Sequence, residues 1–474
     1  MSVKLALVSA VVFATGTLLS TGNASGQFTG QVKVSGAIEV PSGTQAAGVS
    51  SARCGSNIVV GFGDQESNPS NSFAGYSVSH DGGKSFSDLG VLPVTPTLPP
   101  PGSQGPDRLG ANGKPELPGG NDPSVACANG NLFYYASVYT DNGNGVPGGG
   151  CFFPFCPAIS LSISTNGGTT WSLPKVIATA SGDIHSLLFV SMAVDPANPQ
   201  RLYVGYLNHN FATPADYGFP DCGNADIYEM RLVSSADGGK TWADNVVDHA
   251  CTQFGNPTPD HLGILSSPTV AVSPDGKVYV AYQFIPTNGM PNQPNQIRFA
   301  ESVDHGVTFS TPLKVSTALC DATPRLAVDR TTSAFRGTIY LTWSGMPRGT
   351  TTEVLMSDSL NQGASFSFPR SVRATSQGTQ INPVVAVDND GQVADCYYVT
   401  GTNTPTSSST YFYNCLTSFN HAATWAGYTK LATSAPPGFD AVTSDFLLDN
   451  DGFFTAFELT SAGQRHVVAE SADH

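Results

Sequence analysis

The sequence predicts an all-β protein assembled from one repeated four-stranded unit, and three observations lead there. Gly (50) and Pro (34) are abundant in the 474 residues while charged residues make up only 12%, so turns are plentiful and Glu- and Lys-rich helix surfaces are scarce. An octad with Ser, Asp or Asn, and an aromatic at fixed places recurs six times. Between the octads a second pattern recurs, two apolar runs flanking a turn rich in Asp, Asn and Gly.

The chain opens "MSVKLALVSAVVFATGTLLSTGNASG", one Lys, an apolar run and then small polar residues. That is the pattern of a signal peptide covering 1–25, with cleavage between Ala24 and Gly26, and the run is short for a bilayer core of about 30 Å. Residues 26–474 then form a single exported domain, secreted or periplasmic. Nine cysteines fit an oxidising compartment, and their odd number leaves at least one unpaired within a monomer. Cys151 and Cys156 are spaced to clip a loop, and Cys396 and Cys415 flank a hairpin; the connectivity stays open. The formal charge of -15, without a Lys/Arg run, excludes nucleic acid and an anionic membrane surface as partners. A neutral, cationic or metal-bridged ligand remains.

The octads are "SHDGGKSF" (79–86), "STNGGTTW" (164–171), "SADGGKTW" (235–242), "SVDHGVTF" (302–309), "SLNQGASF" (359–366) and "SFNHAATW" (418–425). The Asp or Asn side chain accepts backbone N–H groups across a tight turn, Gly supplies the left-handed conformation, and the aromatic plugs between neighbouring strands. The intervening pattern, as in "SPTVAVSPDGKVYVAY" from Ser267 and "NPVVAVDNDGQVADCYYV" from Asn382, is hairpin chemistry. Each unit therefore reads strand 1, short turn, strand 2, longer loop, strand 3, octad turn, strand 4.

These octads resemble the Asp-box, or BNR repeat, of sialidases and related β-propellers. In that family the boxes are structural and lie away from the catalytic face. The resemblance implies structural roles for Asp81, Asn166, Asp237, Asp304, Asn361 and Asn420, and a propeller in which each unit is one blade. A last unit, "SDFLLDNDGFFTAFEL" from Ser444 followed by "RHVVAESADH", supplies three strands and half an octad. The segment "FTGQVKVS" (28–35) matches the outer-strand segment "FSTPLKVS" (309–316), so it is expected to supply the missing strand and remove an open edge. The expected fold is a seven-bladed β-propeller of four-stranded antiparallel blades, closed by the N-terminal strand completing the C-terminal blade. Sialidases have six blades, so the resemblance covers the repeat and not the blade number.

In this plan the 1–2 turns and octads share one end of the propeller, and the 2–3 loops and blade-to-blade connections share the other. The insertions 92–121, 140–157, 208–226, 249–266 and 285–295 all fall at the second end, which marks it as the functional one. Ser51, Ser124, Ser191, Thr269, Arg325, Val384 and Asp445 align early in strand 1, which lines the central channel. Arg325 and Asp445 are the charged members and, with Asp122, are the candidate catalytic or anchoring residues at the channel mouth. Arg325 and Asp445 also fit an ion pair across the ring, and Asp122 in "NDP" also fits a turn.

His185, His209, His249 and His261, with Asp183, Asp216, Asp221 and Asp260 near them, belong to the loop-rich end of adjacent blades. Such a set offers metal binding or acid–base chemistry, or is scattered surface polarity. No HxH or HExxH spacing and no cofactor motif occurs, so no cofactor is expected. His80, His305 and His421 lie in the octads or beside them and are expected to face solvent. The "DNDG" at Asp388 and at Asp449 reads as a hairpin turn.

Sialidases combine three arginines with a Tyr/Glu pair and an Asp acid/base. Their Arg-Ile-Pro type motif is missing here, and that catalytic set does not transfer residue by residue. The functional classes left are a secreted glycoside hydrolase or polysaccharide lyase, a non-catalytic glycan or protein binder, and an assembly scaffold. The expected partner is a glycan or other extracellular ligand, without membrane insertion.

Overall fold

The protein, as a computed structural model, describes residues 27–28, 32–33, 49–64, 73–93, 123–141, 156–179, 185–210, 222, 226–252, 261–287, 294–316, 324–347, 351–372, 378–403, 409–434, 444–449, 452–461 and 464–473. Its strands form because their residues are buried on both faces at once. In Leu202–Asn210 every residue is buried. Leu202, Val204 and Tyr206 pack toward one neighbouring blade, while Tyr203 and Leu207 pack toward the other. Two-sided burial explains why such strands read as near-continuous runs of Val, Ile, Leu and Tyr rather than as a clean alternation.

Six antiparallel blades of four strands each follow one another along the chain: blade I at 49–91, II at 124–179, III at 185–251, IV at 263–316, V at 325–371 and VI at 380–434. Strands neighbouring in sequence pair within every blade. The expectation of seven four-stranded blades is thereby corrected to six. What remains is a five-stranded sheet of different build: Ser444–Asp449, Gly452–Ser461 and Gln464–Asp473, with the two-residue strands Gln27–Phe28 and Val32–Lys33 both on the last of these.

The two short strands are offset in register by one residue. Phe28 faces Ala472 and Val32 faces Ala469, so the N-terminal segment advances four residues while its partner advances three. The same one-residue slip occurs within the outer strands of blades III and IV.

The innermost strands are Val49–Cys54, Ser124–Asn129, His185–Val194, Gly263–Val272, Arg325–Val328 and Gln380–Val387, each beside the next around an axis. Ser444–Asp449 lies between the last and the first. Neighbouring sheets share apolar cores, for example Val270, Val280, Tyr282 and Phe284 of blade IV with Tyr203 and Leu232 of blade III.

The octads fold alike. In all six, the Ser hydroxyl donates to the Asp or Asn oxygen two residues on, at 2.7 to 3.0 Å. It also accepts the N–H four residues on, at 2.8 to 2.9 Å. The same Asp or Asn oxygen accepts the N–H of the Ser or Thr four residues beyond it, at 2.9 to 3.0 Å. The aromatic does more than plug its own strands, because it crosses to the preceding blade: Trp171 meets Tyr76 edge-on at 5.8 Å, and Phe366 meets Phe299 at 5.0 Å.

Hydrogen bonds from Gly82 N to Ser56 O (3.0 Å), Gly167 N to Asn131 O (2.9 Å) and Gly238 N to Gln200 O (2.9 Å) join the octads of blades I to III to the 1–2 turns of their blades. Both turn types therefore share one end. His80 is exposed there, yet it links Asn57 at 2.7 Å to Thr169 of the next octad at 3.2 Å, and the half-buried His421 and His305 likewise bridge neighbouring turns, His421 stacking on Phe335 at 3.4 Å and His305 reaching Arg201. At "DNDG" the Asp388 carboxylate accepts the N–H of Asp390 and Gln392, as a hairpin turn requires.

Disulfides join Cys54 to Cys127, Cys222 to Cys251 and Cys396 to Cys415. The last is the cross-strand pair anticipated in the hairpin, while Cys151 lies outside the described residues. Among the described residues no helix is long and apolar enough to cross a membrane.

Candidate functional site

The innermost strands enclose an axial cavity of about 430 Å³. Ser51, Ser124, Ser191, Thr269, Arg325 and Val384 all line it, as their common alignment predicts. The small hydroxyl residues act in the ring itself. Ser50 accepts the N–H of Val125 at 3.0 Å, Ser124 that of Met192 at 2.9 Å and Ser191 that of Val270 at 3.0 Å, so one inner strand is stitched to the next.

Of the three candidates at the channel mouth, Arg325 is half-buried on the wall at the start of its inner strand. Asp445 lies in the inner strand of the five-stranded sheet, paired with Ala456, with only its backbone described; Asp122 lies outside the described residues. Sequence reasoning missed two further arginines, Arg53 and Arg330, which line the cavity beside the 1–2 turns of blades I and V, at the octad end, whereas Arg325 stands at the loop-rich end. Among the described residues no carboxylate lines the cavity. The signal in the sequence was weak, because Arg53 and Arg330 sit at strand ends whose direction only the ring geometry sets.

A second polar group stands between blades III and IV, at the end away from the octads. Outer strand Ala243–Cys251 carries Asp248 and His249, and His261 precedes Gly263–Val272. Their ligating atoms all lie within 4.8 Å of one another, and the two imidazole rings are 4.1 Å apart. Asp248 is buried: its Oδ2 accepts the Tyr282 hydroxyl at 2.8 Å and Arg298 Nη1 at 3.1 Å, and its Oδ1 accepts the His249 N–H at 2.9 Å. Burial, with Asp248 beside it, pushes the Tyr282 phenol well up and keeps it a donor. His209 stacks on Tyr228 at 3.9 Å, its Nε2 4.0 Å from Asp226. For His185 only the backbone is described, and Asp183, Asp216, Asp221 and Asp260 lie outside the described residues.

Blade III repeats the Tyr–Arg pairing at equivalent register. Tyr206 donates to Asp244 at 2.9 Å, and Arg231 bridges Asp244 at 3.1 Å and Glu229 at 3.2 Å. Glu229 is buried and also accepts Asn208 Nδ2 at 2.6 Å. The flanking carboxylates raise the Arg231 guanidinium above its ordinary range despite its burial, so this network is a set of closed ion pairs. Glu229 and Asp248 are each ion-paired to an arginine.

No family model matches the sequence, and no curated protein matches it. Solved structures share its architecture at low identity. A Hadza microbial sialidase is 14% identical, with a TM-score of 0.45, over 74% of this chain and 65% of its own. The α-L-arabinofuranosidase Arb93A of Fusarium graminearum is 14% identical, with a TM-score of 0.47, over 80% of this chain and 94% of its own. A protein of unknown function from Dyadobacter fermentans is 14% identical, with a TM-score of 0.47, over 94% and 98%. These are likenesses of fold.

Proposed function

We propose that the protein is an exported β-propeller that recognises glycans at the loop-rich end of its axial channel, with a preference for sugars bearing a carboxylate. One observation carries this reading: Arg325 lines the cavity at the start of its inner strand, which is the loop-rich end. Guanidinium groups bind carboxylates through paired N–H donors, and they keep their charge at any physiological pH. The three disulfides fit export to an oxidising compartment. Arg325 is the anchor at the mouth.

Recognition is favoured over turnover. Glycoside hydrolysis takes two carboxyl groups flanking the bond, one of them able to give up a proton. At this end Glu229 and Asp248 are both ion-paired to arginine. The test is a glycan array of the full chain beside a hydrolysis and lyase screen on sialosides and uronic-acid polysaccharides. Binding of carboxylated glycans without turnover, weakened about tenfold or more by Arg325→Ala, is the expected result. Equal binding of neutral glycans, or turnover abolished by loss of a carboxylate, would replace this reading.

A further inference from the structure

We propose that Asp248, His249 and His261 form a binding site for a divalent transition-metal ion of the zinc class. This site is independent of the glycan reading, since it lies between blades III and IV and its test uses no sugar.

Two imidazoles and one carboxylate are a donor set suited to zinc and its neighbours, and three protein ligands leave a fourth position for water or a ligand oxygen. Around a tetrahedral ion with bonds of about 2.0 to 2.2 Å the donor atoms stand roughly 3.3 Å apart. Here they lie within 4.8 Å of one another.

The backbone under these donors is clamped. Cys251 N donates to the His261 carbonyl at 2.8 Å, Cys251 bridges Leu262, and Cys251 is held to Cys222 by a disulfide. The strand end bearing His249 and the segment bearing His261 are thus fixed against each other without any ion. A preformed site avoids the ordering cost that a flexible one meets.

The carboxylate is aimed as well. A register slip between Met230 and Arg231 leaves Val247 as an extra residue just before Asp248. Bulges of this kind re-aim the neighbouring side chain. The same slip recurs in blade IV, where Ser316 takes the equivalent place, so the fold needs the bulge and not the carboxylate. Tyr282 and Arg298 hold Oδ2, and Oδ1 accepts the His249 N–H. Donors behind a ligating carboxylate set its orientation in metal sites. The Arg298 charge shares that carboxylate and weakens the ion's hold, so the site is a modest one that exchanges its ion.

The experiment uses the full chain with its disulfides oxidised, first treated with a chelator and dialysed. Titration with zinc sulfate by calorimetry is expected to give one equivalent, and cobalt(II) is expected to give the visible d–d bands of a low-coordinate nitrogen and oxygen site. His249→Ala with His261→Ala should lose more than about 100-fold in zinc affinity, while His80→Ala, at the opposite end, should lose none. A parallel measurement needs no variant: zinc should protect His249 and His261 from carbethoxylation, read by peptide mass. The proposal is overturned by absence of a one-equivalent binding event, by an unchanged affinity in the double variant, or by unprotected imidazoles at saturating zinc.

Discussion

At the residue scale, the octads explain themselves through glycine, serine and aspartate. Gly168 has φ +90°, and a Cβ there would stand 2.3 Å from Val59 Cγ2 of blade I. Gly168→Ala therefore combines a left-handed backbone cost of about 1 to 2 kcal/mol with overpacking of about 1 to 3 kcal/mol. Its denaturant midpoint should fall accordingly. The sixth octad carries Ala422 at the matching place, with φ 62° and the side chain buried against blade V. Ala422→Gly relieves the strain and loses a buried methyl, each worth about 1 kcal/mol, so its midpoint should stay nearly unchanged.

The octad carboxylates also make a pH prediction. Hydrogen bonds from the Thr308 hydroxyl and N–H and from Ser302 hold Asp304 down at about 2. Asp81 is likewise at about 2, its partial burial outweighed by hydrogen bonds from Ser85 and Ser79, and Asp237 is pushed lower still. A depressed folded value means that the contribution is whole above the unfolded carboxylate range, near 3.8, and is lost as pH falls toward 2. Melting temperatures between pH 5 and pH 2 should therefore drop less steeply for Asp304→Asn than for the parent chain. Asn166, Asn361 and Asn420 already make the same turn hydrogen bonds without a titrating group.

At the scale of elements, the contact between blades V and VI holds an acid that no turn chemistry requires. Asp395 is fully buried in Val393–Thr400, and neither carboxyl oxygen has a hydrogen-bond partner among the described residues; Thr342 beside it donates to Leu355 instead. Burial pushes its carboxyl well above the ordinary range. A raised acid keeps its proton in the folded state while the unfolded chain releases it near 3.9, so stability falls as pH rises from there through the folded value. Asp395→Asn should raise the melting temperature, with a gain that is larger at pH 8 than at pH 4. A gain independent of pH would mean that the side chain ionises in the folded protein.

The repeated four-stranded unit, its octad turn and its 1–2 hairpin were legible in the sequence because each depends on residues within one hairpin of one another. Asp395 was not, since alternation alone puts a polar residue on a solvent face. Only the ring puts blade V over it. The closing sheet was half legible: the likeness of 28–35 to an outer strand is real in the letters, but the one-residue mismatch against Gln464–Asp473 appears only when the two are laid side by side.

At the scale of the whole molecule, the five-stranded sheet is where closure is weakest, with two short pairings on its last strand. Deleting 27–33 exposes the edge of Gln464–Asp473 and should lower the melting temperature and speed aggregation, followed by light scattering. Between blades I and II, Cys54 and Cys127 close a separation of 73 residues. Replacing both with Ala should cost about 2 to 4 kcal/mol, chiefly through the freer unfolded chain.

By itself the sequence determined the strands, the turns and the all-β class, all of which rest on short-range spacing and residue chemistry. The tertiary structure alone decided the number of four-stranded blades, the three arginines around one cavity, and the meeting of Asp248 and His249 with His261. Those depend on register between distant segments and on the direction in which packed blades turn their side chains, and neither quantity is written in any local stretch of the chain.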